Sequence, residues 1–254
     1  MLLSKIIDFL LPRYCVMCGR RLTVSEETIC THCNLELPRT FLWKDPWEND
    51  FAKMFWGRVP VKKAVAFITY HPNSDPVNIV KSFKYHDSPK DAVVAGRLMA
   101  GELAAYKIQP HLMQDSAASK AKSMPENFFS DIDGIVPIPL SSKRKRERGY
   151  NQSDMLAKGI AMVTHLPVFT DCVRRKTFKI SQTRLDYLQR MENIRGVFQL
   201  TDKASKLRNK HILLVDDVVT TGSTTSECAN ELLKIEGLTV SILSFCSAWS
   251  ANRR

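Results

Sequence analysis

Glycine is scarce in this chain, at 10 of 254 residues, and two glycine-rich phosphate-binding patterns are missing. No G-x-x-x-x-G-K-[ST] occurs, which argues against a P-loop nucleotidase. No G-x-G-x-x-G occurs either, which argues against a dinucleotide-binding fingerprint. No apolar run approaches the roughly 18 residues of a membrane-spanning helix, so no span is expected. The start, MLLSKIIDFLLPRYC, has a signal peptide's apolar content but not its design. Lys5 and Asp8 interrupt it, and no small-residue cleavage site follows. Leu2, Leu3, Ile6, Ile7, Leu10 and Leu11 instead fall at helical spacing, predicting an amphipathic helix that Pro12 stops. A cytoplasmic chain is therefore expected, where structural disulfides are rare. No internal repeat is present.

A hydrophobic content of 44% and a charged content of 25% are those of a globular protein. Its length suits one sizeable α/β domain plus a small appendage. The net charge of +11 is unevenly spread. Residues 143 to 148, KRKRER, carry +4, and residues 174 to 195 carry seven basic side chains against Asp186 and Glu192, so +5. Charge concentrated in this way points to a bound polyanion more than to general solubility.

Four of the seven cysteines form two Cys-x-x-Cys pairs, Cys15/Cys18 and Cys30/Cys33, with 11 residues between them. Two such pairs can fold into facing knuckles that give Zn²⁺ a tetrahedral sulfur shell. A redox reading accounts for one pair and not for two. His32 is read as a bystander, and Cys172, Cys228 and Cys246 as buried inert thiols.

Residues 1 to 38 read as a zinc-knuckle module with its leading helix, and 39 to 60, rich in Trp, Phe and Pro, as a packed connector. Residues 61 to 254 form the main domain. There, strands are predicted at 63–70, 132–140, 212–215 and 238–246. Helices are predicted at 76–83, 92–106, 151–163 and 224–234. Residues 111 to 130, rich in Ser, Ala and Lys, read as an insertion. Strands alternating with helices imply an α/β fold with a mainly parallel sheet.

The densest chemistry is in residues 211 to 224, HILLVDDVVTTGST. Ile212 to Val215 suit a central parallel strand covered on both faces. Asp216 and Asp217 follow at its carboxyl end, where open α/β sheets bind ligands. Thr220, Thr221, Gly222, Ser223 and Thr224 form a small-residue turn that leads into a helix. Backbone amides, hydroxyls and the helix dipole there favour a phosphate. Acids suit sugar hydroxyls or a metal, so the two parts together describe a site for a sugar phosphate. A strand ending in Asp also occurs in receiver-like and other doubly wound folds; two acids followed by TTGST favour the sugar-phosphate reading.

Two basic constellations accompany this motif. In GIVPIPLSSKRKRERGYNQS (134–153), Lys143, Arg144, Arg146 and Arg148 are read as a loop after a second strand. Alone, the run suits a solvated face or a nucleic-acid patch; beside a phosphate turn it suits a pyrophosphate clamp. Segment 174–195, with Arg184 and Arg190, reads as an exposed helical hairpin or, as the resemblance of LLVDDVVTTGST to type I phosphoribosyltransferases implies, as a lid over the site. Trp43, Trp47 and Trp56 are alternative stacking platforms for single-stranded DNA, or packing residues of the connector.

LLVDDVVTTGST resembles the phosphoribosyl pyrophosphate (PRPP) motif of type I phosphoribosyltransferases. That resemblance implies acids on the ribose hydroxyls, partly through Mg²⁺, and a turn on the 5′-phosphate. The whole chain is similar to the ComF/GntX family. The similarity rests on the cysteine quartet, VPIPLSSKRKRERGYNQ, the DD motif and T-x4-Q-x2-L-x4-R-x2-N-x2-G-x-F (Thr177, Gln182, Leu185, Arg190, Asn193, Gly196, Phe198). It implies a zinc knuckle on a phosphoribosyltransferase fold, in a family associated with DNA uptake and natural competence; DNA-uptake proteins or, on the reading of the knuckle and basic loops as a strand binder, single-stranded DNA are the expected partners. It names no acceptor. A catalytically silent PRPP or nucleotide sensor on the same fold is the alternative, since fold alone does not fix activity.

Overall fold

The computed structural model describes residues 12–69, 76–85, 88–108, 126–176 and 196–248. The expected leading helix, most of the insertion and the lid segment with Arg184 and Arg190 lie outside the described residues.

Four strands form a parallel sheet: β1 (Ala64–Thr69), β2 (Gly134–Pro137), β5 (His211–Val219) and β6 (Thr239–Ser247), in the order β1-β6-β5-β2. The central strand β5 is buried along its apolar run because both of its faces are covered. Val65, Phe67, Leu213, Val215, Leu243 and Phe245 point into one core, while Ala64, Ala66, Ile212, Leu214, Val240 and Ile242 point into the other. This is the period-two alternation of a strand between two layers.

The first layer holds α3 (Pro76–Tyr85), α4 (Pro89–Ala105) and α6 (Gln152–Thr164), together with the cysteine module and its short helix α1 (Thr31–Leu35). Helices α4 and α6 cross at Gly96 and Gly159, where an added Cβ would fall 2.3 Å from the Leu156 carbonyl or 2.1 Å from that of Val93. Only glycine permits that approach. The second layer holds α7 (Ser223–Leu232), the connector helix α2 (Asp50–Lys53) and an antiparallel ribbon, β3 (Val173–Arg175) with β4 (Phe198–Leu200). Among the described residues, no helix is long and apolar enough to cross a membrane.

The KRKRER run is a helix, α5 (Ser142–Arg148), and not the expected loop. Ser141 caps it, its Oγ accepting from the Arg144 amide at 3.3 Å, and Gly149 ends it at φ 74°. Straight-chain Lys, Arg and Glu between a serine cap and a left-handed glycine satisfy the local rules for one helical turn and more.

Candidate functional site

The site is built around the end of β5. Strand β2 stops at Pro137, opposite Val215, whereas β6 continues beside β5 to Val219. Asp216 and Asp217 therefore lie just past the end of one neighbouring strand, at an open notch in the carboxyl edge. Asp216 is buried. Its Oδ1 accepts from the Asp217 amide at 2.9 Å and, at 3.5 Å, from Ser153 Oγ; its Oδ2 accepts from Thr225 Oγ1 at 3.3 Å. Asp217 is half-buried, and its Oδ1 accepts from the Val218 amide at 2.8 Å. Burial first, and the charge of Asp217 second, push Asp216 up to about 8. At neutral pH Asp216 by itself is thus mainly protonated, and a cation or a hydroxyl-rich ligand would favour its charged form.

The turn leads directly into α7. Gly222, at φ 72°, is the residue before the helix. Thr221 Oγ1 lies 3.0 Å from Ser223 Oγ and accepts from the Ser223 amide at 3.4 Å. The hydroxyls of Thr220 and Thr221 belong to exposed residues at the mouth of the turn. One turn into α7, Ser226 Oγ is buried without a hydrogen-bond partner among the described residues, and so is Asn151 Oδ1 at the start of α6. Ser226 follows Thr225, and Asn151 lies two residues before Ser153, the two hydroxyl residues that bond Asp216. Buried groups left unpaired cost about 1–3 kcal/mol each, so their presence marks a place where a ligand or water belongs.

The connector supports the turn from outside. Arg58 Nη1 donates to the Thr221 carbonyl at 2.8 Å, and Asn230 Nδ2 donates to the Arg58 carbonyl at 3.2 Å. Met54 and Phe55 fill the space behind Gly222, where a Cβ would come within 2.9 Å of Met54 Sδ.

The basic candidates divide. Lys143, Arg144 and Arg146 are exposed on α5, with Lys143 paired to Glu147 at 4.0 Å. Arg148 is half-buried and donates to Gln152 Oε1 at 3.1 Å. The GYNQS residues after it are tied down: Tyr150 Oη and Gln152 Nε2 both donate to the Phe83 carbonyl, and Asn151 Nδ2 donates to Ile138 O and Asp154 Oδ1. They hold the junction of α5 and α6 against Phe83 and Ile138.

Sequence reasoning did not single out Arg175. It sits on β3, half-buried, with its guanidinium 5.6 Å from the Phe198 ring centroid and no hydrogen bond or ion pair among the described residues. Burial, then Arg144, lower its proton affinity, while Asp216 opposes them. Arg174, one residue earlier, turns outward and donates to Gln199 Oε1. The alternation of a short strand separates the two, and a three-residue strand leaves almost no signal in a sequence.

Cys15, Cys18, Cys30 and Cys33 bring their sulfurs within 4.8 Å of one another. The Cys18–Cys30 separation is 3.8 Å, about that of two thiolates on one tetrahedral zinc with bonds of about 2.3 Å. Burial raises Cys15, but amide hydrogen bonds from Cys18, Cys30 and Met17 outweigh it and bring the thiol to about 7. Burial and the neighbouring sulfurs push Cys33 well up. A cluster that favours one thiolate and penalises the next calls for a cation, and this set can hold a metal such as zinc. Glu26 organises the intervening loop, accepting from the Thr23 and Thr31 amides at 2.8 and 2.7 Å.

Among the described residues, two other constellations do not form sites. Ser241, His211 and Asp131 resemble a nucleophile relay, with His211 Nε2 2.8 Å from Ser241 Oγ. Ser241 is fully buried, however, and lies at the opposite end of the sheet. Cys172, Cys228 and Cys246 are buried as expected. Of the tryptophans, Trp43 stacks in the core on Phe67 at 5.6 Å, whereas Trp56 is 53% exposed.

No family model matches the chain. It is 26% identical to the DNA utilization protein YhgH of Shigella flexneri over 232 residues, 91% of this chain and 89% of that protein. It is 33% identical to competence protein F of Haemophilus influenzae over 103 residues, 41% of this chain and 45% of the relative. It is 28% identical to competence protein ComFC of Bacillus subtilis over 131 residues, 52% and 49% of the two chains. With the order of its motifs and its parallel sheet, these similarities support a relationship to the ComF family.

Proposed function

We propose that the chain binds PRPP at the carboxyl end of β5 and transfers its phosphoribosyl group, within DNA utilization or uptake. The observation that carries this reading is the notch itself: a buried acid beside a second acid, five residues before a glycine turn that opens a helix. Asp216 and Asp217 hold the ribose hydroxyls, and residues 220 to 224 hold the 5′-phosphate. Mg²⁺ bound with the ligand would partly neutralise its pyrophosphate and suits the same acids. The incoming nucleophile forms a bond to C1 while the C1–O bond breaks, and pyrophosphate leaves with the electron pair. Positive charge already in place where that negative charge develops lowers the barrier without any reorganisation at the moment of reaction. Arg148, Arg144 and Arg175 supply it, joined by Arg184 and Arg190 of the lid segment. The four cysteines hold a structural zinc that folds the N-terminal module.

The test is pyrophosphate release from PRPP and Mg²⁺ against a panel of nucleobases, amines and cell extract. The expected result is acceptor-dependent release, with Arg148→Gln or Arg175→Gln lowering turnover more than PRPP affinity. Binding without release across the panel would instead make the protein a sensor.

A further inference from the structure

Segment 51–62 carries Lys53, Arg58 and Lys62 and no acid, and it places one large aromatic, Trp56, in solvent. Residues 56 to 61 line a shallow groove of about 430 Å³, within the range of small-molecule sites. Arg58 fixes the groove to the phosphate turn through Thr221. That bond uses one of the five guanidinium donors, and the others have no partner among the described residues. The preceding Met54 and Phe55 abut Gly222. An exposed indole, a spare guanidinium fork and the tip of a phosphate turn are thus contiguous.

We propose that Trp56 and Arg58 form a second nucleotide subsite, which takes a nucleobase and phosphate attached beyond the 5′-phosphate held by the turn. The indole stacks on the base, and Arg58 reaches the second phosphate. This rests on the reading of residues 220 to 224 as a 5′-phosphate site. The ligand class is a ribose 5-phosphate esterified through its phosphate to a nucleotide. A strand-binding track would need successive aromatic platforms, whereas this groove offers one.

Calorimetry with ribose 5-phosphate, ADP-ribose and an oligothymidylate tests the proposal on wild type, Trp56→Ala, Trp56→Phe and Arg58→Gln. Because Trp56 is exposed, Trp56→Ala should melt as wild type does. ADP-ribose should bind about 5- to 150-fold more tightly than ribose 5-phosphate, the range expected of one stacked base. Trp56→Ala should abolish that difference and Trp56→Phe should retain part of it, while ribose 5-phosphate affinity stays unchanged in both. Arg58→Gln should narrow the difference. Equal affinities for the two ligands in wild type, or a difference that survives Trp56→Ala, would overturn the subsite alone. Absence of binding by both ligands would overturn the phosphate-turn reading and the subsite with it. Trp56-dependent binding of the oligothymidylate without ADP-ribose binding would replace it with a strand site.

Discussion

Replacing Asp216 by Asn should stabilise the protein in alkaline buffer while weakening its ligand site. The folded chain raises this carboxyl from its ordinary 3.8 to about 8, so folded Asp216 keeps a proton that the unfolded chain gives up. Stability contributed by this group therefore falls as pH rises from about 4 through 8, and the full cost is borne above that. At 1.36 kcal/mol per pH unit, the ceiling is about 5 to 6 kcal/mol. Asn cannot ionise, and its Oδ1 can still accept from the Asp217 amide now bonded at 2.9 Å. It also removes repulsion from Asp217, although its amide fits the Thr225 hydroxyl differently. A net gain of about 1 to 3 kcal/mol at pH 8.5 is expected. That corresponds to a rise in Tm of about 2 to 12 °C, shrinking towards zero at pH 5. Thermal melts of the two proteins across that range read it directly. A lower Tm for Asp216→Asn at pH 8.5, or melting curves that shift in parallel with pH, would refute the reasoning.

Purified protein should contain about one zinc per chain by metal analysis, lost in Cys15→Ser/Cys30→Ser; retained stoichiometric zinc would exclude the cluster as its ligand. Chelation should selectively unfold the N-terminal module, because zinc–thiolate folding energies are on the order of 10 kcal/mol. Gly222→Ala must adopt φ near 72° and displace Met54, so denaturant melts should show a loss of about 1 to 3 kcal/mol. If α5 is a dedicated DNA track, binding of single-stranded DNA should weaken steeply with salt and ignore PRPP. The expected result is micromolar or weaker DNA binding that PRPP reduces through shared arginines.

What the sequence made legible was local. The run at 212–215, the acid pair and the glycine turn specify a strand and a helix start within 14 residues; α7 begins at Ser223, one residue earlier than expected, whereas β5 continues to Val219 and takes both acids into the strand. The cysteine quartet was equally local, since its two knuckles need only a short intervening loop. The helix α5 was misread as a loop because its charge outweighed its caps, although Ser141 and Gly149 were visible. Arg175 and the connector were less legible for a different reason. Arg175 is placed by strand pairing with Phe198, 23 residues further along the chain. Arg58 reaches Thr221 across 163 residues. Neither pairing has a period, a cap or a motif to announce it.

Whether residues 216 to 224 hold a phosphoribosyl ligand is tested most directly by calorimetry with PRPP and Mg²⁺ on wild type and Asp217→Ala. Removing a charged acceptor from a sugar hydroxyl should weaken binding by about 1.5 to 3 kcal/mol, roughly 10- to 150-fold. Equal affinity of the two proteins, or no binding by wild type, would contradict that assignment.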